Sequence, residues 1–271
     1  MLFRSENANT DLTYKYEHLG ADVGVLQALA DGNHPFAMVL RKADKAMLIV
    51  GQGALTGPDG GKILSVVRAI AQTCGLVDEK IGWNGFNVLH TAAARVGGLD
   101  LGFVPGSGGL DVEGILDAAG SGKMDMVYLL GADEIDMSRL GDTFVVYQGR
   151  HGDNGAHRAD VILPGAAYTE KNATYVNTEG RVQRTRLAAF PPGDAREDWT
   201  IIRALSAALG QTLAFDDVRM LRARLIEANS AFIHVDEVTS APWKPFGLDG
   251  EPGPSPLTSS VTNFYMTDPI S

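Results

Sequence analysis

Apolar positions along the chain fall into two kinds of run that alternate. One kind is short and nearly continuous: "KAMLIVG" (45–51), "MDMVYLLGAD" (124–133), "DTFVVYQG" (142–149) and "ADVILP" (159–164). A strand with one wet face alternates apolar and polar residues, so runs without that alternation predict strands covered on both sides. The other kind recurs every three to four residues. Ile63, Val66, Val67, Ile70 and Cys74 share one face of a helix expected over about 61–74. "LDVEGILDAAG" (110–120) predicts a short helix with Asp111 as its N-cap. "GDAREDWTIIRALSAALG" predicts a helix opened by Asp194 and Glu197 as a capping box and closed by Gly210, burying Trp199, Ile202, Leu205 and Leu209. A further helix is expected over about Asp217 to Ala228, and "FNVLHTAAARVGG" reads as a helix stopped by Gly97-Gly98.

Strand and helix thus take turns, which predicts an α/β fold: an open, mostly parallel sheet with helices on both faces. "TYVNTEGRVQRTRL" reads as two extended runs reversing at Glu179-Gly180. Three segments follow from the changes of character: an N-terminal extension (1–23), an α/β domain (24–238) and an irregular, Pro- and Gly-rich tail (239–271). Trp243, Phe246, Phe264, Tyr265 and Met266 argue that the tail packs, pinned at 242–246 and 264–266 with a looser span between. No internal repeat is visible.

Composition narrows the function classes. With 271 residues, 45% of them hydrophobic, the chain can bury a sizeable core. No apolar run approaches the roughly 20 residues that span a bilayer, and "MLFRSENANT" lacks the apolar stretch of a secretory signal, so the expectation is a soluble protein. A net charge of −10 argues against nucleic acid as a partner. The single Cys74 excludes an internal disulfide and an iron–sulfur cluster held by this chain alone. On its helical face it reads as core packing.

Candidate chemistry sits after the strands, where open α/β sheets bind ligands. Gly51, Gly53 and Gly57 lie between a strand and a helix, as phosphate-cradling turns do, but the spacing is not the dinucleotide fingerprint and the Lys-Ser/Thr of a P-loop is missing. In "GADEID", the carboxylates from Asp133 to Asp136 either meet a ribose hydroxyl or cap the next turn. "HGDNGAH" gathers His151, Asp153 and His157, with Asp160 nearby. It reads as a polar loop more readily than as a metal cluster. No Ser-His-Asp order and no G-x-S-x-G elbow occurs. No residue is assigned as catalytic, cofactor-binding or metal-ligating. The polar loop Tyr168–Thr169–Glu170–Lys171–Asn172 between two extended runs is left asking for partners.

"VVYQGRHGDNGAHRADVILPGAAYTEKNATYVNTEGRVQ", with "PPGDAREDWTIIRAL", "HPFAMVLRKADKAMLIVGQGAL", "GGLDLGF" and "FYMTDPIS", resembles the large iron–sulfur subunit (the G subunit) of NADH:quinone oxidoreductase, respiratory complex I. The likeness runs from about Asp11 to Ser271. More distantly, the "ADVILP" to "NTEGRVQ" stretch resembles the molybdopterin oxidoreductases. The resemblance implies the molybdopterin oxidoreductase fold and a scaffold segment from the C-terminal portion of the large subunit. The iron–sulfur clusters of that subunit would lie in an N-terminal region with no counterpart here, leaving no cofactor in this chain. It implies as partners that iron–sulfur region and the other complex I subunits, in the peripheral arm on the cytoplasmic side of a bacterial inner membrane, without direct membrane insertion. Polar loop 168–172 would then bond protein, water or a neighbouring subunit, at a site emptied of the pterin nucleotide of its relatives. Two other readings stay open: part of a molybdopterin-dependent oxidoreductase, and a free nucleotide-binding module using Gly51, Gly53 and the Asp133 loop.

Overall fold

The computed structural model of the protein describes residues 3–5, 13–254 and 257. The described residues fall into two compact units, one of those up to Ala93 together with those from Thr239 onward, the other of Ala94–Val238.

The first unit opens with β1 (Phe3–Ser5) running parallel to β2 (Glu17–Gly20), followed by α1 (Val23–Ala30) and α2 (Pro35–Lys42). Pro35 suits the first position of α2, where its missing N–H costs nothing, and His34 Nδ1 accepts from Phe36 N at 3.2 Å to cap it. β3 (Leu48–Gly51) leads through a short turn into α3 (Gly60–Thr73); β4 (Val77–Asp78) and β5 (Trp83–Asn84) form a small antiparallel pair, and β6 (Phe86–Leu89) returns parallel to β3. Ile63, Val66, Val67 and Ile70 of α3 pack against Val23, Leu26 and Leu29 of α1, so the expected apolar face is the core face. Cys74, the residue after α3, is buried, and burial pushes its thiol pKa up.

"FNVLHTAAARVGG" does not form the expected helix. Phe86–Leu89 is a strand, 90–94 turns, and only α4 (Arg95–Asp100) is helical. Pairing with β3 decides the first half: four register partners, Leu48 to Gly51, outweigh the local periodicity. Gly97 and Gly98 lie inside α4 rather than ending it. A Cβ on Gly97 would make only an ordinary contact with Val176 at 3.4 Å, while Gly102 at φ +70° supplies the reversal.

The tail packs on the first unit. Trp243 meets Phe86 with ring centroids 5.4 Å apart, and Trp243 and Phe246 stand 5.1 Å apart, both edge to face. The span beyond is also held: Leu248 N donates to Gly61 O at 2.8 Å, Ser65 Oγ to Leu248 O at 2.9 Å, and Gly253 N to Asp59 Oδ2 at 2.9 Å. The first part of the looser stretch expected between 246 and 264, as far as Gly253, is therefore pinned by hydrogen bonds to its backbone, which composition does not reveal. The expected anchor at 264–266 lies outside the described residues.

The second unit continues from α4 through α5 (Val112–Gly120), β7 (Met126–Leu130), β8 (Phe144–Gly149), α6 (Asn154–Arg158) and β9 (Val161–Pro164). β7, β8 and β9 form a parallel sheet in that order. Asp111 caps α5, accepting from Gly114 N at 2.8 Å. Val127, Leu129, Val145 and Tyr147 pack on Leu116 and Ala119 of α5 and on Leu140. Next come the antiparallel hairpin β10 (Thr174–Val176) and β11 (Val182–Arg184), then α7 (Asp198–Ala208) and α8 (Val218–Ala228). Gly180 takes φ +83° at the hairpin turn, and Asn177 Oδ1 accepts from Glu179 N and Arg181 N, both at 3.0 Å. Val176 and Val182 pack with Phe232.

The fold is α/β, with small, mostly parallel open sheets and helices. Two expectations for α7 fail. Glu197 is itself the N-cap position and its carboxylate is engaged elsewhere, while Asp194 lies out in the solvent. The stripe is not buried either: Leu205 is 36% and Leu209 72% exposed, and only Trp199 finds an aromatic neighbour, Phe215. Among the described residues, no helix is long and apolar enough to cross a membrane.

Candidate functional site

The carboxyl ends of β7, β8 and β9 open on a cleft of about 330 Å³, whose walls include Asp133, Tyr147, Gln148, Arg150, Lys171 and Asp198. Its floor is built by two consecutive residues of β8 that face opposite ways. Tyr147 points into the α5 side, where Gly155 lets α6 lie on its ring: a Cβ at that glycine would come within 2.6 Å of Tyr147 Cε2. The phenol donates to Asp153, whose other oxygen caps α6 by accepting from Ala156 N at 3.0 Å. Burial first, then the Asp153 carboxylate, pushes the Tyr147 pKa far above the usual phenol range. The phenol therefore stays protonated and works as a donor.

Gln148 points to the other face and is fully buried. A buried amide without partners costs several kcal/mol, so its bonds explain its presence. Tyr128 OH donates to Gln148 Oε1 at 2.5 Å, and Gln148 Nε2 donates to Asp198 Oδ1 at 2.9 Å. Lys171 Nζ pairs with the second oxygen of Asp198. Asp198 lies in the first turn of α7, where the helix dipole favours a carboxylate. One chain of bonds thus runs Tyr128–Gln148–Asp198–Lys171, tying β7, β8, α7 and the polar loop together. Burial first, then the charge of Asp198, raises the Tyr128 pKa.

The loop 168–172 finds its partners within the chain. Glu170 Oε2 accepts from Ala167 N at 2.9 Å, closing the turn Tyr168–Glu170. Asn172 donates twice to Glu197 Oε1, from N at 3.1 Å and Nδ2 at 3.2 Å, and Glu197 Oε2 accepts from Trp199 Nε1 at 2.6 Å. Thr169 O accepts from Ala188 N at 2.9 Å. Tyr168 and Thr169 are the exposed side chains of the loop.

The other candidates scatter. Asp133 faces the cleft, and burial first, then Asp153, raises its pKa. Asp136 caps the turn Met137–Leu140, accepting from Ser138 N at 3.0 Å. His151 lines the cleft, whereas His157 lies with Asp136 along a separate surface groove. Asp160 Oδ2 accepts from Val145 N at 2.8 Å. Among the described residues, no group of three or more His, Cys, Asp or Glu is placed to hold a metal ion. At the Gly51–Gly57 turn, the start of α3 already faces a carboxylate. Lys62 Nζ at 2.9 Å, then Gly253 N at 2.9 Å, hold Asp59 below its usual pKa. A phosphate brought to that helix end would meet this charge. Sequence reasoning missed Tyr128, Gln148 and Asp198; its available signal was a lone glutamine in the apolar run "FVVYQG".

Comparison with known proteins adds the family. Residues 5–208 match Molybdopterin oxidoreductase, and 227–271 match the C-terminal region of the NADH-ubiquinone oxidoreductase G subunit. The chain is 42% identical over 276 residues to the NADH-ubiquinone oxidoreductase 75 kDa subunit of Reclinomonas americana, covering 98% of this chain and 38% of that protein. It is 39% identical over 259 residues to the NADH-quinone oxidoreductase G subunit of Rickettsia conorii, covering 96% and 36%. To the mitochondrial NADH dehydrogenase [ubiquinone] iron-sulfur protein 1 of Solanum tuberosum it is 40% identical over 265 residues, covering 96% and 34%. The chain therefore spans little more than a third of the length of these curated relatives, and matches their C-terminal part. The chain belongs to the molybdopterin oxidoreductase family, and its curated relatives there are G-type subunits of NADH-quinone oxidoreductases.

Proposed function

We propose that the chain is a scaffold portion of the iron–sulfur subunit of a respiratory NADH:quinone oxidoreductase, contributing no redox centre of its own. On this reading its partners are the iron–sulfur region of the same subunit and neighbouring subunits of the peripheral arm, on the cytoplasmic side of a bacterial inner membrane. The names and identities of its relatives support the assignment to that complex.

The observation that carries the scaffold reading is the state of the cleft. The fold family implies a pterin–nucleotide cofactor at this sheet edge. Such a group brings a pyrophosphate, which calls for cations and unspent N–H donors. The lining presents four carboxylates, Asp133, Glu134, Asp153 and Asp198, against two fixed cations, Arg150 and Lys171, with His151 beside them. Its lysine, Lys171, is paired with Asp198, and the Gln148 amide is engaged on both sides. Four carboxylates against two fixed cations, one of them already paired with Asp198, suit a pyrophosphate poorly. Gln148, Asp198 and Lys171 form a bonded network that holds β8, α7 and the polar loop in place.

Electron-transfer assays test the reading. The purified chain should oxidise no NADH with ferricyanide or a soluble quinone. Turnover that survives removal of bound contaminants would count against it and favour an enzyme with its own centre.

A further inference from the structure

Carboxylates outnumber Lys and Arg by 33 to 23 in this chain, so arginines gathered without an acidic partner are conspicuous. In the second unit Arg139, Arg158, Arg181, Arg203, Arg219 and Arg224 each lie within ion-pair distance of a carboxylate. Among the described residues, Arg184, Arg186 and Arg222 have no such partner, and the side chains of Arg184 and Arg186 make no hydrogen bond.

The base of the hairpin brings these three together. Ala173 O accepts from Thr185 N at 3.0 Å and from Arg222 Nη2 at 3.3 Å, so the α8 guanidinium sits beside the residue that separates the other two. Thr185 turns back into the hairpin, its Oγ1 accepting from Ala173 N at 2.9 Å, and strand alternation sends Arg184 and Arg186 out on a common face. Both are exposed, and Arg222 is half-buried. Burial first, then the charge of Arg184, lowers the Arg222 pKa. The Arg222 Nε is buried and lacks a hydrogen-bond partner among the described residues. Glu197 is the carboxylate whose charge reaches Arg222, and its oxygens already serve Asn172 and Trp199.

Like charges held this close call for an anion. A carboxylate is filled by one guanidinium fork. A phosphate group carries roughly two negative charges and three acceptor oxygens, enough for several forks at once. We propose that Arg184, Arg186 and Arg222 form a binding site for the phosphate group of a small soluble molecule, either free phosphate or a phosphate monoester. The site opens to solvent, which leaves room for whatever group the phosphate carries. None of the three arginines lines the cleft, so the proposal stands whether or not the scaffold reading holds.

NMR of the arginine Nε–H groups in the isotope-labelled chain tests it, at constant ionic strength set by chloride. Inorganic phosphate and glycerol phosphate are titrated separately, and the signals are assigned from Arg184→Gln, Arg186→Gln and Arg222→Gln. Arg139, held by Glu113 and Asp117, is the internal control and reports that each variant folds. The signals of all three arginines should move together and saturate while that of Arg139 stays in place, and the tighter ligand identifies the source of the phosphate. Replacing the exposed Arg184 and Arg186 together by Gln should weaken binding about tenfold or more. Shifts that only track added salt, or that survive the double substitution, would overturn the proposal and leave a solvated charged edge that keeps the hairpin from pairing. Tighter binding of an octaglutamate peptide or of phosphatidylglycerol vesicles than of either phosphate would overturn it too.

Discussion

Gln148 and Lys171 show how single residues stabilise this fold. Lys171 is paired with Asp198 while both remain partly exposed, with side chains 19% and 32% accessible. Replacing Lys171 by Met leaves Asp198 with only the Gln148 amide, and should destabilise the chain by about 1–2 kcal/mol, between the exposed and buried ion-pair cases. Urea denaturation measures this; a variant as stable as the parent would mean that the pair is ornamental. Asp133 is the opposite case. Burial, Asp153 and Glu134 raise its pKa. The folded form binds the proton more tightly than the unfolded chain does, so ionised Asp133 costs stability at neutral pH and the cost disappears as pH falls through its raised pKa. Asp133→Asn should therefore unfold at a higher temperature than the parent at pH 7, with the difference closing in acid. A variant that is less stable at pH 7 would show that Asp133 makes a needed contact.

At the scale of elements, the strands and most helices were legible in the sequence because their signals are local. The continuous apolar runs gave β7, β8 and β9, Asp111 marked the start of α5, and the NTEG turn marked the hairpin. Long-range partners decided what was not legible. Residues 86–89 carry an amphipathic pattern, and pairing with β3 makes them a strand. α7 has a helical stripe whose Trp199 packs on Phe215 while Leu205 and Leu209 stay exposed. Leu209→Asp should accordingly change stability by less than about 0.5 kcal/mol. Val145→Ala, at a fully buried position of β8, should cost about 1–3 kcal/mol. Comparable losses in thermal denaturation would place Leu209 in a core. The tail illustrates the same limit: composition suggested anchors, but not the bonds from 248 to 253. Trp243→Ala removes a ring that packs on both Phe86 and Phe246 and should cost about 1.5–3 kcal/mol. Hydrogen exchange at Leu248 and Gly253 should quicken with it; unchanged exchange would show that the backbone bonds hold without the ring.

For the whole molecule, the family fold and the chemistry of its ligand edge point in different directions. The sheet edge that suits a cofactor is retained, yet several side chains at it are bonded to one another: Tyr147 to Asp153, and Tyr128 through Gln148 and Asp198 to Lys171. That contrast is only half readable in the sequence. The polar loop is on display there, and the fold is needed to show that Glu170, Lys171 and Asn172 bond protein. The central claim is that this edge serves structure and holds no redox cofactor. Molybdenum content tests it most directly, measured by mass spectrometry on the chain purified from a bacterial host that makes the pterin cofactor and is grown with molybdate. The account predicts molybdenum far below one atom per chain; a stoichiometric atom retained through purification would contradict it.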